Sequence, residues 1–119
     1  MFEDITISSS LQKLQQAALF CEARHEVIVN NIANVNTPGF KAKDLSVKSF
    51  KEALAASESS GSYEVIDSPD VGEVREDGNN ISIEAEMSKL SGNAMRHRVL
   101  LSLVNHQMTL MEMALRGTL

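Results

Sequence analysis

Apolar residues recur in steps of three and four along two long stretches, and these bracket a middle where the pattern breaks. From Leu11 the walk runs Leu11, Leu14, Ala18, Cys21, His25, Ile28, Ile32 and Val35, with His25 its polar exception. The mean step of about 3.5 is that of a coiled-coil seam rather than the 3.6 of a straight surface helix. No Gly or Pro interrupts residues 11–35, and Ser8, Ser9 and Ser10 offer N-cap hydroxyls. The pattern predicts a helix over 8–35, roughly 42 Å long at about 1.5 Å per residue. A second walk runs Met87, Leu90, Ala94, His97, Leu101, Val104, Met108, Met111 and Leu115, and predicts a helix over 83–117. Glu84 and Glu86 in its first turn and Arg116 in its last suit the helix dipole, and Gly117 is placed as a stop. Leu100, Leu103, Leu110 and Met113 lie off this seam. They give the helix a second apolar face, which requires a second neighbour.

Residues 36–82 form the irregular middle. Pro38 biases Thr37 away from helical angles, and Pro38-Gly39 fits the centre of a type II turn. Phe50 and Leu54 share a face of a short helix over 46–56, and Ser57 to Ser62 is a flexible run. Tyr63 to Ile66 suits a short strand closed by Ser68-Pro69, and Asp77-Gly78-Asn79-Asn80 is a strong turn signal. The predicted fold class is mainly α. Two long terminal helices form an antiparallel coiled-coil pair, with turns and room for a short strand or helix between them, in one domain over 1–119. Pairing the seams with Leu11 against Met111, Cys21 against Leu101 and Ile32 against Leu90 sets His25 opposite His97. That register predicts a single polar layer, a device that fixes helix alignment.

The chain has 119 residues, of which 43% are hydrophobic and only 4% aromatic, so its core must be aliphatic and Met-rich. One cysteine rules out an internal disulfide framework. No run approaches the roughly 20 apolar residues of a membrane span. Glu3, Asp4 and Lys13 stand where a signal peptide needs an apolar stretch, so any export is expected to use no cleaved signal. The net charge of −5 argues against nucleic acid as a partner. Charge is uneven: residues 58–86 hold nine acids against Arg75 alone, just after a basic stretch of Lys41, Lys43, Lys48 and Lys51. The first expectation is a solvated middle, and the sharper one is head-to-tail attraction between copies. Cys21, His25 and His97 supply three ligands where structural zinc wants four, so a small buried Cys beside a core His is the preferred reading. There is no HExxH motif, no phosphate-binding glycine loop and no nucleophile beside a His in a turn. Asp77 to Asn80 lacks the later ligands of an EF-hand loop. The expectation is a protein that is not an enzyme, with no catalytic, cofactor-binding or metal-binding residues.

The most informative stretch is Asn30 to Lys41, with four Asn in its first seven residues. Asn tolerates left-handed conformations and caps nearby backbone, but so specific a sequence exceeds what a helix stop requires. Ala33, Asn34, Thr37, Pro38, Gly39, Phe40 and Lys41 match, in outline, the ANxxTPGFK signature near the N-terminus of bacterial flagellar rod-and-hook proteins. A second match is Asp77, Gly78, Asn79, Asn80 and Ile81, followed by Glu86-Met87, the C-terminal heptad helix and the ending Leu115-Arg116-Gly117. The chain thus resembles the flagellar axial family, and within it a subunit of the proximal rod. The resemblance implies a structural part exported unfolded by the flagellar type III apparatus. Such subunits polymerise through both terminal helices into the wall of a tube that is drive shaft and export channel in the periplasmic part of the basal body. It implies as partners further copies, rod proteins of the FlgC and FlgF types, the adaptor FliE and the membrane ring. Asn31 and the two motifs are then the expected assembly residues. From the seams, Leu11, Leu14, Ile28, Ile32, Leu90, Leu101, Val104, Met108 and Leu115 are the expected helix-interface residues. The alternatives are another proximal rod subunit of the FlgC type and, from a different class, a cytoplasmic coiled-coil adaptor or chaperone.

Overall fold

A computed structural model describes residues 2–56 and 63–117. In chain order it contains α1 (Phe2–Ala33), β1 (Lys43–Leu45), α2 (Val47–Ala55), β2 (Val65–Asp67) and α3 (Ile83–Arg116). The molecule is mainly helical, and its two long terminal helices pack antiparallel, as the apolar walks predict. Asn31 near the end of α1 meets Glu86 near the start of α3, while Cys21 lies against Asn93 further along. The particle measures 65 × 25 × 16 Å, with a radius of gyration of 18.2 Å. A compact domain of this length would have roughly 14 Å, so much of the helical surface is left without an intramolecular neighbour.

The helix ends follow local chemistry. α3 is capped by Ser82, whose Oγ accepts from the Ala85 N–H, and it stops at Gly117 with φ +69°. α2 is capped the same way by Ser46 and the Ser49 N–H. α1 departs from expectation at its start: the helix begins at Phe2, and Ser8 to Ser10 lie inside it. Ser is only mildly unfavourable in a helix interior, so three of them do not stop one. The strand foreseen around Tyr63 to Ile66 is realised as β2, antiparallel to β1 with Asp44 opposite Ile66. The run Ser57 to Ser62 lies outside the described residues.

The predicted register is corrected. The less exposed positions of α3 run Glu86, Leu90, Asn93, His97, Leu100, Val104, Gln107, Met111 and Ala114. Every second position agrees with the predicted walk, and the others fall one residue earlier. Leu101 (44% exposed), Met108 (50%) and Leu115 (82%), expected in the seam, instead face outward with Met87. The helices are also slid. Cys21 O accepts from Asn93 Nδ2 (2.7 Å) rather than lying opposite Leu101, and Asn31 Nδ2 donates to Glu86 Oε2 (3.0 Å). The His layer does not form: His25 is exposed, and His97 Nε2 approaches Glu22 Oε1 at 3.4 Å.

The core is thickest where the middle folds back. Phe20 of α1 stacks on Phe50 of α2 with ring centroids 4.2 Å apart, and Tyr63 meets Phe20 edge-on at 5.4 Å. This arrangement holds three of the chain's five aromatic residues and pins α2 to α1. Ala18, Cys21, Ile28, Ala42, Leu45, Ile81 and Val104 complete the buried apolar set.

Candidate functional site

The two motifs, some forty residues apart, are halves of one latch. Phe40 N donates to Thr37 O (3.2 Å) across Pro38 and Gly39, whose φ of +74° is that of the third residue of a type II turn. Gly78, at φ +85°, packs directly on it: a Cβ there would lie 3.3 Å from Gly39 Cα. Gly39 N donates to Asp77 O (2.7 Å) and Asn80 N to Phe40 O (3.3 Å), while Lys41 Nζ reaches Gly78 O. Asn80 Oδ1 accepts from Ala42 N (2.8 Å).

Asn79 is the centre of the latch. Fully buried, it directs Nδ2 at the carbonyls of Asn34, Val35 and Thr37 at 2.9–3.0 Å. Its Oδ1 accepts from Ile81 N at 2.8 Å. A helix leaves its last carbonyls unpaired, and here residues far along the chain satisfy those that follow α1. Arg75 adds Nη2 to Val35 O and Nη1 to Ile81 O. Asn34 secures the turn from inside by accepting from Thr37 Oγ1 (3.0 Å).

One step deeper, Asn31 pairs with the backbone of β1. Its Nδ2 donates to Lys43 O (2.7 Å) and its Oδ1 accepts from Lys43 N (3.0 Å). The same Nδ2 touches Glu86, which is fully buried and held by Lys89 Nζ at 2.9 Å from Oε1. Lys89 also donates to Ser68 Oγ and stands 3.8 Å from Asp44 Oδ2. Asp44 is gripped by Arg24 through two bonds of 2.9 and 3.0 Å. Burial pushes the Asp44 carboxyl up, but the Arg24 hydrogen bonds, the Leu45 N–H and the charges of Arg24 and Lys89 outweigh it and hold the group below its ordinary range. The arrangement ties α1, β1 and α3 together.

Outside the latch, α3 presents a broad apolar surface. Met95, Val99, Leu101, Leu103, Met108, Met113 and Leu115 are each between 37% and 82% exposed, and Leu19 and Val29 of α1 are also open. Of the second face predicted for α3, Leu103 and Met113 are exposed, whereas Leu100 turns toward α1 and Leu110 is half-buried. Among the remaining expected interface residues, Ile28 and Val104 are buried, and Leu11, Leu14, Ile32 and Leu90 are half-buried. Ala33, Thr37, Pro38 and Lys41 are exposed and Phe40 is half-buried, so one side of the latch faces outward.

Two features escaped the sequence reading. Arg24 and Asp44 are charged residues in an apolar context, and the aromatic trio joins residues from three separate segments. The one available signal was Phe20 and Phe50, the bulkiest side chains of their segments. Cys21 is buried, and that burial raises its thiol pKa. Among the described residues no three His, Cys, Asp or Glu side chains are grouped to hold a metal.

The family model for the flagella basal body rod protein matches residues 22–41, the last part of α1 and its turn. Over most of its length the chain is similar to flagellar basal body rod protein FlgB from three bacteria. The relative from Bacillus subtilis (strain 168) is 26% identical over 92% of this chain and 95% of its own length. That from Aeromonas hydrophila is 28% identical over 79% and 83%. That from Yersinia enterocolitica is 25% identical over 80% and 85%. These matches do not favour a cytoplasmic adaptor. By the signature at the end of α1 and by similarity along most of its length, the chain resembles the FlgB flagellar basal body rod proteins.

Proposed function

We propose that the chain is a building block of the proximal rod and enters it by burying the exposed faces of α1 and α3 against neighbouring subunits. The carrying observation is the apolar surface from Met95 to Leu115, which a two-helix particle leaves in water. Large exposed apolar patches mark interaction sites. Fully burying such a side chain is worth about 1.5–3 kcal/mol, of which these have about half still to gain. The latch sets the angle at which β1, α2 and β2 leave the helical pair, so it governs how the middle meets adjacent subunits. Asn31, Asn34, Thr37, Gly39, Asp77, Gly78, Asn79 and Asn80 act in assembly through that angle, and the work of the chain is mechanical rather than catalytic. Further copies, rod proteins of the FlgC and FlgF types, FliE and the membrane ring are the proposed neighbours. Delivery to the periplasm goes through the flagellar type III export apparatus without a cleaved signal.

The test is the double variant Leu103→Asp with Met108→Asp. Both side chains face outward, so the isolated chain should keep its helical content while cells expressing the variant lose rods and motility. Normal rods in that strain would overturn the proposal.

A further inference from the structure

A groove of about 1020 Å³ runs beside α1 between α2 and α3. α2 packs on α1 and leaves α3 bare, so the groove has α1 as its floor and the other two helices as walls. Phe20 and Cys21 form the floor, Phe50 and Leu54 one wall, and Met95 and Val99 the other. Its charged lining residues are all bases. Arg24 is already paired with Asp44, but Lys51 on α2 and Arg96 on α3 are exposed and make no ion pair among the described residues.

Elsewhere the same chain carries the complement. The loop Asp70 to Asp77 exposes Val71 (42%) and Val74 (63%) among the exposed acids Asp70, Glu73, Glu76 and Asp77. It is stiffened by the bonds from Gly72 N to Asn80 O (3.0 Å) and from Arg75 N to Asn79 O (2.9 Å), so little ordering is left to be done on binding. Asn79 ties this loop to the end of α1, whereas Arg96 lies about 21 Å along α3 from Ser82 at about 1.5 Å per residue. The start of the loop, Asp70, lies near Arg24, but its tip from Glu73 to Glu76 is held at the Asn79 end, away from Arg96 in its own chain.

We propose that the acidic loop of one copy docks in the groove of the next, with Val71 and Val74 on the apolar lining and Glu73 and Glu76 beside Lys51 and Arg96. This rests on the reading that copies assemble. Basic Lys41 and Lys43 are engaged within the chain, by Gly78 O and Asp67. The residual attraction between the basic and acidic stretches thus falls to α2 and α3 rather than to the start of the middle. Because the two patches differ and sit at separate places, the contact propagates from copy to copy instead of closing as a symmetric pair. A hairpin tip in a groove buries less than the roughly 1,200 Å² of a stable pair. The contact is therefore weak alone and supplements helix packing in the polymer.

The experiment uses the full chain in a Cys21→Ala background, concentrated with a flexible bismaleimide. Chains carrying Val74→Cys and Val99→Cys together should give a ladder of crosslinked multimers. Adding Lys51→Glu and Arg96→Glu should reduce the ladder by about tenfold or more, since attraction becomes repulsion. Adding Glu73→Lys and Glu76→Lys as well should restore it, which a merely misfolded variant would not do. A ladder indifferent to the charge reversals, or no ladder from this pair while Leu103→Cys chains crosslink readily, would overturn the groove contact. The second result would leave the rod-subunit reading standing, whereas failure of both pairs would count against self-assembly as well.

Discussion

Asn79 bears more of the latch than its size suggests, because one amide serves three carbonyls that α1 cannot pair for itself. Replacing it with Ala leaves the buried Ile81 N–H without its acceptor and each of those carbonyls with one donor fewer, beside the bonds from Thr37 N, Arg75 and Phe40 N. The expected cost is about 2–3 kcal/mol, measured as a shift in the urea unfolding midpoint at unchanged slope. Gly39 is a different case. A Cβ there meets nothing within 4 Å, so Gly39→Val is opposed by its φ of +74° alone. That conformation costs an L-residue on the order of 1–2 kcal/mol. Thermal unfolding should report a drop of this order for Val and a smaller one for Asn, and motility should fall with Val. Equal melting of all three chains would contradict the turn argument. Both turns were legible in the sequence because Gly, Pro and Asn act on their own backbone. That Asn79 binds the end of α1 was not legible, since nothing local records a partner forty residues away.

The seam of α3 shows what periodicity leaves open. The predicted and observed walks share Leu90, His97, Val104 and Met111, and only Leu100/Leu101 and Ala114/Leu115 offer an apolar residue to both; elsewhere the observed seam takes a polar residue, Glu86, Asn93 or Gln107. The apolar rule chose Met87 and Ala94; the structure chose their neighbours Glu86 and Asn93. Those polar side chains are buried because they have specific partners: Glu86 meets Asn31 and Lys89, and Asn93 meets the Cys21 carbonyl. A search for greasy positions discards them. The charged ties that hold β1 to the helices make stability sensitive to acid. The folded Asp44 carboxyl titrates below its ordinary value. Its contribution is therefore present above the unfolded value of about 3.9, and it is lost as pH falls through the lower folded value. Urea unfolding should show declining stability below about pH 4, with a shallower decline in Asp44→Asn. At neutral pH that variant should be less stable by about 3 kcal/mol, since Arg24 is left without its charge partner. An identical acid slope in the two chains would remove Asp44 from the account.

The whole molecule is long and thin and leaves apolar side chains of α3 exposed on more than one flank, a shape that is sensible for a part and poor for an isolated globule. Its helical class and rod-like form were legible from the two walks and the shortage of aromatic residues, because an amphipathic helix with two apolar faces demands two neighbours. Which residues remain in water was not, since that depends on how α3 is rotated. In the dilute chain, amides around Leu11 and Leu14 and around Met113 and Leu115 should exchange fast, because these side chains are only half-buried or exposed and offset little of the ordering. Full protection there would contradict the account. The most direct measurement places single cysteines at Leu101, Leu103 and Leu115 in a Cys21→Ala chain and compares maleimide labelling of dilute protein with that of intact basal bodies. The account predicts ready labelling in dilute solution and strong protection in the assembled rod. Equal labelling in the two states would mean that this surface is not what the subunit buries.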